Sequence, residues 1–166
     1  MESAVDADNG RALRDAFGRF ATGVTLVTTM TEAGPLGFVA NSFASVSLDP
    51  PLVLWSPARS SRRFAAFVAA RHYVIHVLGA DQAALTTRFF GGGPGFAGLD
   101  HTITEEGQPR LPALARFECA LHAVHDGGDH AIVVGRVLRF DAGTGTPLVF
   151  CQGRYGSFAG QDFLRQ

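Results

Sequence analysis

A chain of 166 residues with 46% apolar content is long enough to bury one sizeable core, so one domain over 9–166 behind a disordered tail over 1–8 is expected. A formal net charge of −1 and a pI near 6.6 lack the electrostatic footprint of a nucleic-acid or anionic-membrane binder. All 14 basic residues are Arg, which excludes a Schiff-base lysine and a P-loop lysine.

Asn9 is a fitting N-cap for a first helix in which Leu13, Ala16, Phe17 and Phe20 recur at helical spacing, ended by Thr22 and Gly23. Alternating Thr and Val from Val24 to Met30 predict a strand, and a turn over Glu32 to Pro35 leads to a second strand, Leu36 to Asn41. Ala44 to Leu48 and Leu52 to Ser56 read as strands joined by Asp49-Pro50-Pro51, since consecutive prolines cannot lie inside a central strand. Ser60 or Ser61 suits the cap of a second helix with Phe64, Phe67 and Val68 on one face. Tyr73 to Leu78 is strand-like, and Asp81 is expected to cap a third helix reaching about Phe90.

A glycine-rich loop, Gly91 to Gly98, opens an irregular stretch that lasts to Pro112. Arg116 to His125 and Ala131 to Asp141 alternate around Asp126-Gly127-Gly128-Asp129, a strong hairpin signal. Leu148 to Cys151 is a last strand running into Gly153-Arg154-Tyr155-Gly156. Short strands outnumber helices, which predicts a mainly β fold: an antiparallel barrel with peripheral helices rather than a doubly wound sheet. No basic stretch precedes an apolar one at the N-terminus and no apolar run reaches membrane-span length, so a cytoplasmic protein is expected.

Several motifs fail on inspection. Gly93-Pro94-Gly95-Phe96-Ala97-Gly98 spells G-x-G-x-x-G, but it follows a helical pattern and precedes loop. A dinucleotide fingerprint must leave a strand and open a helix. His122 and His125 lie on a predicted strand, where a spacing of three sends them to opposite faces, so no metal site follows. Cys119 and Cys151 are far apart, and each reads as a small hydrophobe in a strand. With no acid–base constellation in view, a cofactor is expected to carry the chemistry.

Three segments point to a family. They are Phe17-Gly18-Arg19-Phe20-Ala21-Thr22-Gly23-Val24-Thr25, the run from Ala40-Asn41-Ser42-Phe43 through Ser45-Val46-Ser47 to Asp49-Pro50-Pro51-Leu52-Val53, and Gly128-Asp129-His130 with Gly153-Arg154-Tyr155-Gly156. Together they resemble the short-chain flavin reductases, FMN-binding split β-barrel proteins that serve as reductase components of two-component flavin-dependent monooxygenases.

The resemblance implies a split antiparallel β-barrel homodimer, a bound FMN or FAD, NADH or NADPH as hydride donor, and release of reduced flavin to a partner monooxygenase. By the same resemblance Val39, Ala40, Asn41, Ser42, Ser45, Val46 and Ser47 contact the flavin ring, through backbone N–H groups as well as side chains. Val39 stands where the family often has Thr, which removes one hydroxyl from the flavin's surroundings. The resemblance also implies that Ser60, Ser61 and Arg62 hold the flavin phosphate and that Phe89, Phe90 and the glycine-rich loop border the cofactor. It further implies that His130 lies by the nicotinamide as the catalytic residue, with Arg154 and Tyr155 as nicotinamide partners. Two further readings of the residues stay open: a split-barrel oxidase or oxygenase acting directly on an organic substrate, and a flavin-binding module without turnover.

Overall fold

Strand-forming Thr, Val and aromatic residues dominate the chain's periodic segments, and they build a barrel. The computed structural model describes residues 9–91, 93 and 95–160. The predicted tail over 1–8 lies outside them. In order come α1 (Gly10–Phe17), β1 (Thr22–Gly23), β2 (Thr25–Thr31), β3 (Gly34–Ala40), β4 (Ala44–Leu48) and β5 (Pro51–Trp55). Next are α2 (Phe64–Ala69), β6 (His72–Val77), a 3₁₀ turn at Ala80–Gln82, α3 (Ala83–Phe89), β7 (Thr102–Ile103) and β8 (Pro109–Arg110). The hairpin of β9 (Ala115–Gly127) and β10 (His130–Ala142) precedes β11 (Leu148–Cys151) and β12 (Arg154–Ser157).

Seven antiparallel strands form one sheet in the order β3-β2-β6-β9-β10-β5-β4, and β1-β11-β12 form a small second sheet. The outermost strands of the large sheet, β3 and β4, follow one another in sequence through Asn41 to Phe43, so the sheet curls round on itself. Its interior takes Val27, Val53, Trp55, Tyr73, Ile75, Cys119 and Val133 from successive strands, and Phe67 of α2 closes one end. Trp55 anchors this core edge-on to Phe67 at 5.4 Å and to Phe38 at 5.6 Å between ring centroids. Alternation along β2 sends Leu26 the other way, to a second cluster with Val24, Leu78, Phe89, Leu111 and Leu148. This is the antiparallel barrel with peripheral helices that the strand pattern predicts, in the split form that the resemblance implies.

His76 is buried between these layers. Its Nε2 accepts the Leu111 N–H at 3.0 Å, which leaves the proton on Nδ1, donated to the Leu26 carbonyl at 2.9 Å. Burial pushes its pKa down to about 4, against the smaller upward pull of that carbonyl. The folded state therefore requires the neutral ring. Its contribution is complete above the unfolded value near 6.5 and is lost as pH falls through about 4. His76→Gln is expected to remove about 3 kcal/mol of the acid-induced loss of stability between pH 7 and pH 4, read from urea midpoints. Unchanged acid sensitivity would show that other groups carry it.

Local chemistry departs from the sequence expectations in four places. Asn9 occupies the cap position of α1 but its side chain does not cap, and the helix ends at Phe17 with no residue buried. Thr22 and Gly23, expected to stop that helix, instead pair with Phe150 and Val149. The helix expected from Ser60 or Ser61 begins at Phe64, because Ser61 Oγ accepts the Arg63 N–H in a turn of its own and Arg63 takes the cap position. Asp81 does not cap α3: a 3₁₀ turn precedes the helix, and Gln82 Oε1 accepts the Gly79 N–H at 3.0 Å.

Within the irregular stretch, Thr102 and Ile103 pair with Arg110 and Pro109. The G-x-G-x-x-G letters follow α3 and open no helix among the described residues, as their context predicts; Pro94 lies outside those residues. His122 and His125 are exposed on β9, and no cluster of metal-ligating side chains occurs among the described residues. None of the described helices is long and apolar enough to cross a membrane.

Candidate active site

A cleft of about 660 Å³ opens where β3, the Ala58–Arg63 segment and the end of α3 meet. Small-molecule sites are roughly 300–1,000 Å³. One wall is apolar, made by Phe38, Val39, Phe89 and Phe90. Phe89 is only 1% exposed and packs against β3 because residue 37 is glycine: a Cβ there would stand 2.4 Å from the ring. The other wall is polar, with Ser60, Ser61, Arg62 and Arg63.

The two arginines of that wall differ in what they do. Arg63 donates to the Phe89 carbonyl at 2.6 Å and to the Gly91 carbonyl at 2.8 Å, so it ties α2 to the end of α3. Arg62 is exposed and has no hydrogen bond or ion pair among the described residues. It is the guanidinium left to meet an anion.

The β9–β10 hairpin brings a histidine to the same region. Gly128-Asp129 form its two-residue turn, with Gly128 at φ 72, a conformation glycine adopts without strain. His130 then pairs across to Ala58 in an isolated bridge, and the Ala131 N–H donates to the Pro57 carbonyl at 3.1 Å. His130 is thus backbone-paired to a residue that lines the cleft. Its Nδ1–H donates to Asp129 Oδ1 at 2.7 Å, which leaves Nε2 as the ring's second polar atom. The imidazole beside Asp129 in turn holds that carboxyl below the usual carboxylate range, through the hydrogen bond first and the charge second.

Of the residues expected at the site, Val39, Ser60, Ser61, Arg62 and Phe89 line one cleft. Ala40 is buried in the barrel core beside them. Asn41 is exposed on the link between β3 and β4, and Ser42 on that link holds the end of β5: its Oγ accepts the Ser56 N–H at 2.8 Å. Ser45, Val46 and Ser47 lie on β4, where the register slips by one residue and leaves Val46 half exposed. Arg154 and Tyr155 stand apart on β12 of the small sheet, and the Tyr155 ring packs on Phe150 with centroids 5.3 Å apart. Phe90 and Gly91, which the resemblance also sets beside the cofactor, line the cleft as well, together with Phe38 and Ala58, which the sequence does not single out. The apolar–polar border at Pro57-Ala58-Arg59 is the one signal that marks this turn in the sequence.

Comparison with known proteins bears on the same region. Residues 17–159 match the model of the flavin reductase like domain. The FMN reductase (NADH) SmoA of Agrobacterium fabrum is 56% identical over 155 residues, covering 93% of this chain and 89% of that protein. The flavin-dependent monooxygenase reductase subunit HsaB of Rhodococcus jostii is 41% identical over 155 residues, covering 92% of this chain and 80% of its own. Among solved structures, the NADH:FAD oxidoreductase SgcE6 of Streptomyces globisporus, in complex with NAD and FAD fragments, superposes with a TM-score of 0.88 at 35% identity over 97% of this chain and 99% of that one. The cleft, the barrel that carries it and these relationships agree: the chain is an oxidoreductase that belongs to the flavin reductase-like family.

Proposed function

We propose that this chain moves hydride from NADH or NADPH to FMN or FAD and releases reduced flavin to a partner monooxygenase, with NADH and FMN as the first pair to test. The observation that carries this reading is the two-walled cleft, apolar at Phe38, Val39 and Phe90 and polar at Ser60, Ser61 and Arg62, beside the His130 turn. A flavin nucleotide has the matching division, a flat ring at one end and a phosphate at the other.

When bound, the nicotinamide supplies the hydride and the flavin ring accepts it. The chain's residues bind and align. Ser60, Ser61 and Arg62 take the phosphate through hydroxyls, backbone N–H groups and one guanidinium. Val39, Ala40, Asn41 and Ser42 lead the chain along the ring, and Ser45, Val46 and Ser47 of the edge strand β4 offer backbone donors that no described strand pairs on its outer side. Donors there stabilise the negative charge that builds on the ring. His130, its Nδ1–H held by Asp129, presents Nε2 as a polar contact for the nicotinamide carboxamide. No general base is required, so the gain comes from alignment.

Arg154 and Tyr155 complete the nicotinamide side from the small sheet as part of a homodimer. Support for the dimer comes from large apolar side chains exposed around that sheet: Phe17 at 68%, Phe20 at 79% and Phe158 at 66%. A monomer in water gains nothing from exposing these residues together.

The test is one preparation assayed with each nicotinamide against each flavin, and sized by sedimentation. Catalytic NADH consumption by a dimer is expected. Flavin binding without nicotinamide oxidation would leave a carrier, and turnover only on adding an organic substrate would leave a direct oxidase.

A further inference from the structure

The turn that carries His130 is held from outside the hairpin by the Pro57–Arg59 segment, and within that segment Arg59 is the residue whose side chain reaches the turn. Arg59 donates its backbone N–H to the Asp129 carbonyl at 2.9 Å and its Nε–H to the Gly128 carbonyl at 3.0 Å. Its guanidinium also reaches Asp126 Oδ1 at 2.6 Å, and the guanidinium carbon lies 5.4 Å from the centroid of the Phe64 ring at the start of α2. Three carbonyl and carboxylate oxygens around one tight turn thus converge on a residue that immediately precedes Ser60.

The hairpin needs such a tie. Its two strands run from Ala115 to Gly127 and from His130 to Ala142, and the residues from His125 to Asp129 are all exposed. β6 and β5 flank its lower part, but the tip from His125 to Asp129 extends beyond them as a two-stranded ribbon, and such a ribbon twists readily. An ion pair between side chains 46% and 82% exposed contributes little to folding. Its fork geometry, with Nε and a terminal nitrogen on different oxygens, fixes direction instead.

We propose that Arg59 is a positioning residue: it locks the His130 turn to the Ser60–Arg62 wall and so sets the distance between the nicotinamide and flavin-phosphate sides of the site. This rests on the role of His130 given above. Arg59 acts through His130 and touches neither ligand.

The experiment is a double-mutant cycle of Arg59→Ala and His130→Ala, read as kcat/KM for NADH, with flavin Kd and Tm measured on each protein. Arg59→Ala alone is expected to lower kcat/KM for NADH about tenfold, with flavin Kd within about twofold. In the His130→Ala background the Arg59 change is expected to have no further effect. A second readout needs no turnover: hydrogen exchange of the Ala131 amide, bonded to Pro57, is expected to quicken about tenfold in ligand-free Arg59→Ala. Additive losses, an equal loss of flavin affinity, or an unchanged Ala131 amide would each overturn the proposal. Absence of flavin reduction by the wild-type protein would instead strike the function itself, and the amide readout would still decide whether Arg59 holds the turn.

Discussion

Gly135→Ala is expected to destabilise the barrel by about 3 kcal/mol or more, at the upper end of overpacking costs. A Cβ at this position would stand 2.1 Å from the Tyr73 hydroxyl oxygen, 2.9 Å from its ring carbon Cζ and 3.2 Å from Cys119 Cβ. Neither neighbour can retreat. Tyr73 and Cys119 are 0% and 1% exposed, and the Tyr73 ring meets Trp55 edge-on at 6.1 Å. The register of β9 and β10 shifts between Val134 and Gly135, so the position that meets the phenol sits at a bulge. Urea unfolding at neutral pH measures the cost. Tyr73→Phe in the Gly135→Ala background removes the closest atom and is expected to restore about 1 kcal/mol. A loss below about 1 kcal/mol in the single variant would mean that the bulge yields outward, against the packing described here.

Arg62→Ala is expected to weaken FMN binding by about tenfold to a hundredfold while leaving riboflavin binding within about twofold. Riboflavin has the same ring and no phosphate, so the difference between the two ligands isolates the guanidinium's contribution. Arg62 suits this test because it has no partner among the described residues whose loss would confuse the result. Arg63, one residue on, would not serve: removing it frees the Phe89 and Gly91 carbonyls and loosens the cleft wall. Equal losses for FMN and riboflavin would move the phosphate elsewhere.

Much of the barrel is legible in the sequence because its strands alternate and its turns use residues that admit few other conformations. Ala44–Leu48 and Leu148–Cys151 begin and end where the pattern says, and Asp126-Gly127-Gly128-Asp129 announces the hairpin. Helix starts were harder to read, since hydroxyls compete with the helix for nearby N–H groups. Ser61 does so with Arg63 and delays α2 to Phe64.

The apolar face of α1 misleads for another reason. Helical spacing of Leu13, Ala16 and Phe17 shows that something must cover that face, but not that none of the helix's residues is buried by the described part of the chain. Within the cleft, Ser60, Ser61 and Arg62 are contiguous and readable as a group, whereas Phe89 joins them only because Gly37 admits its ring to β3. Arg59 shows the limit most plainly. Its side chain meets Gly128, 69 positions away, and no local pattern reports a contact at that separation.

The link from Asn41 to Phe43 has a kinetic consequence. It joins the first and last strands of the seven-stranded ladder, so the two margins of the cylinder are tethered by a short segment and never have to find one another through a long loop. The entropy of closure is therefore small. Among the described strands the two margins are not paired with each other, so each keeps an outer edge of backbone groups without a strand partner.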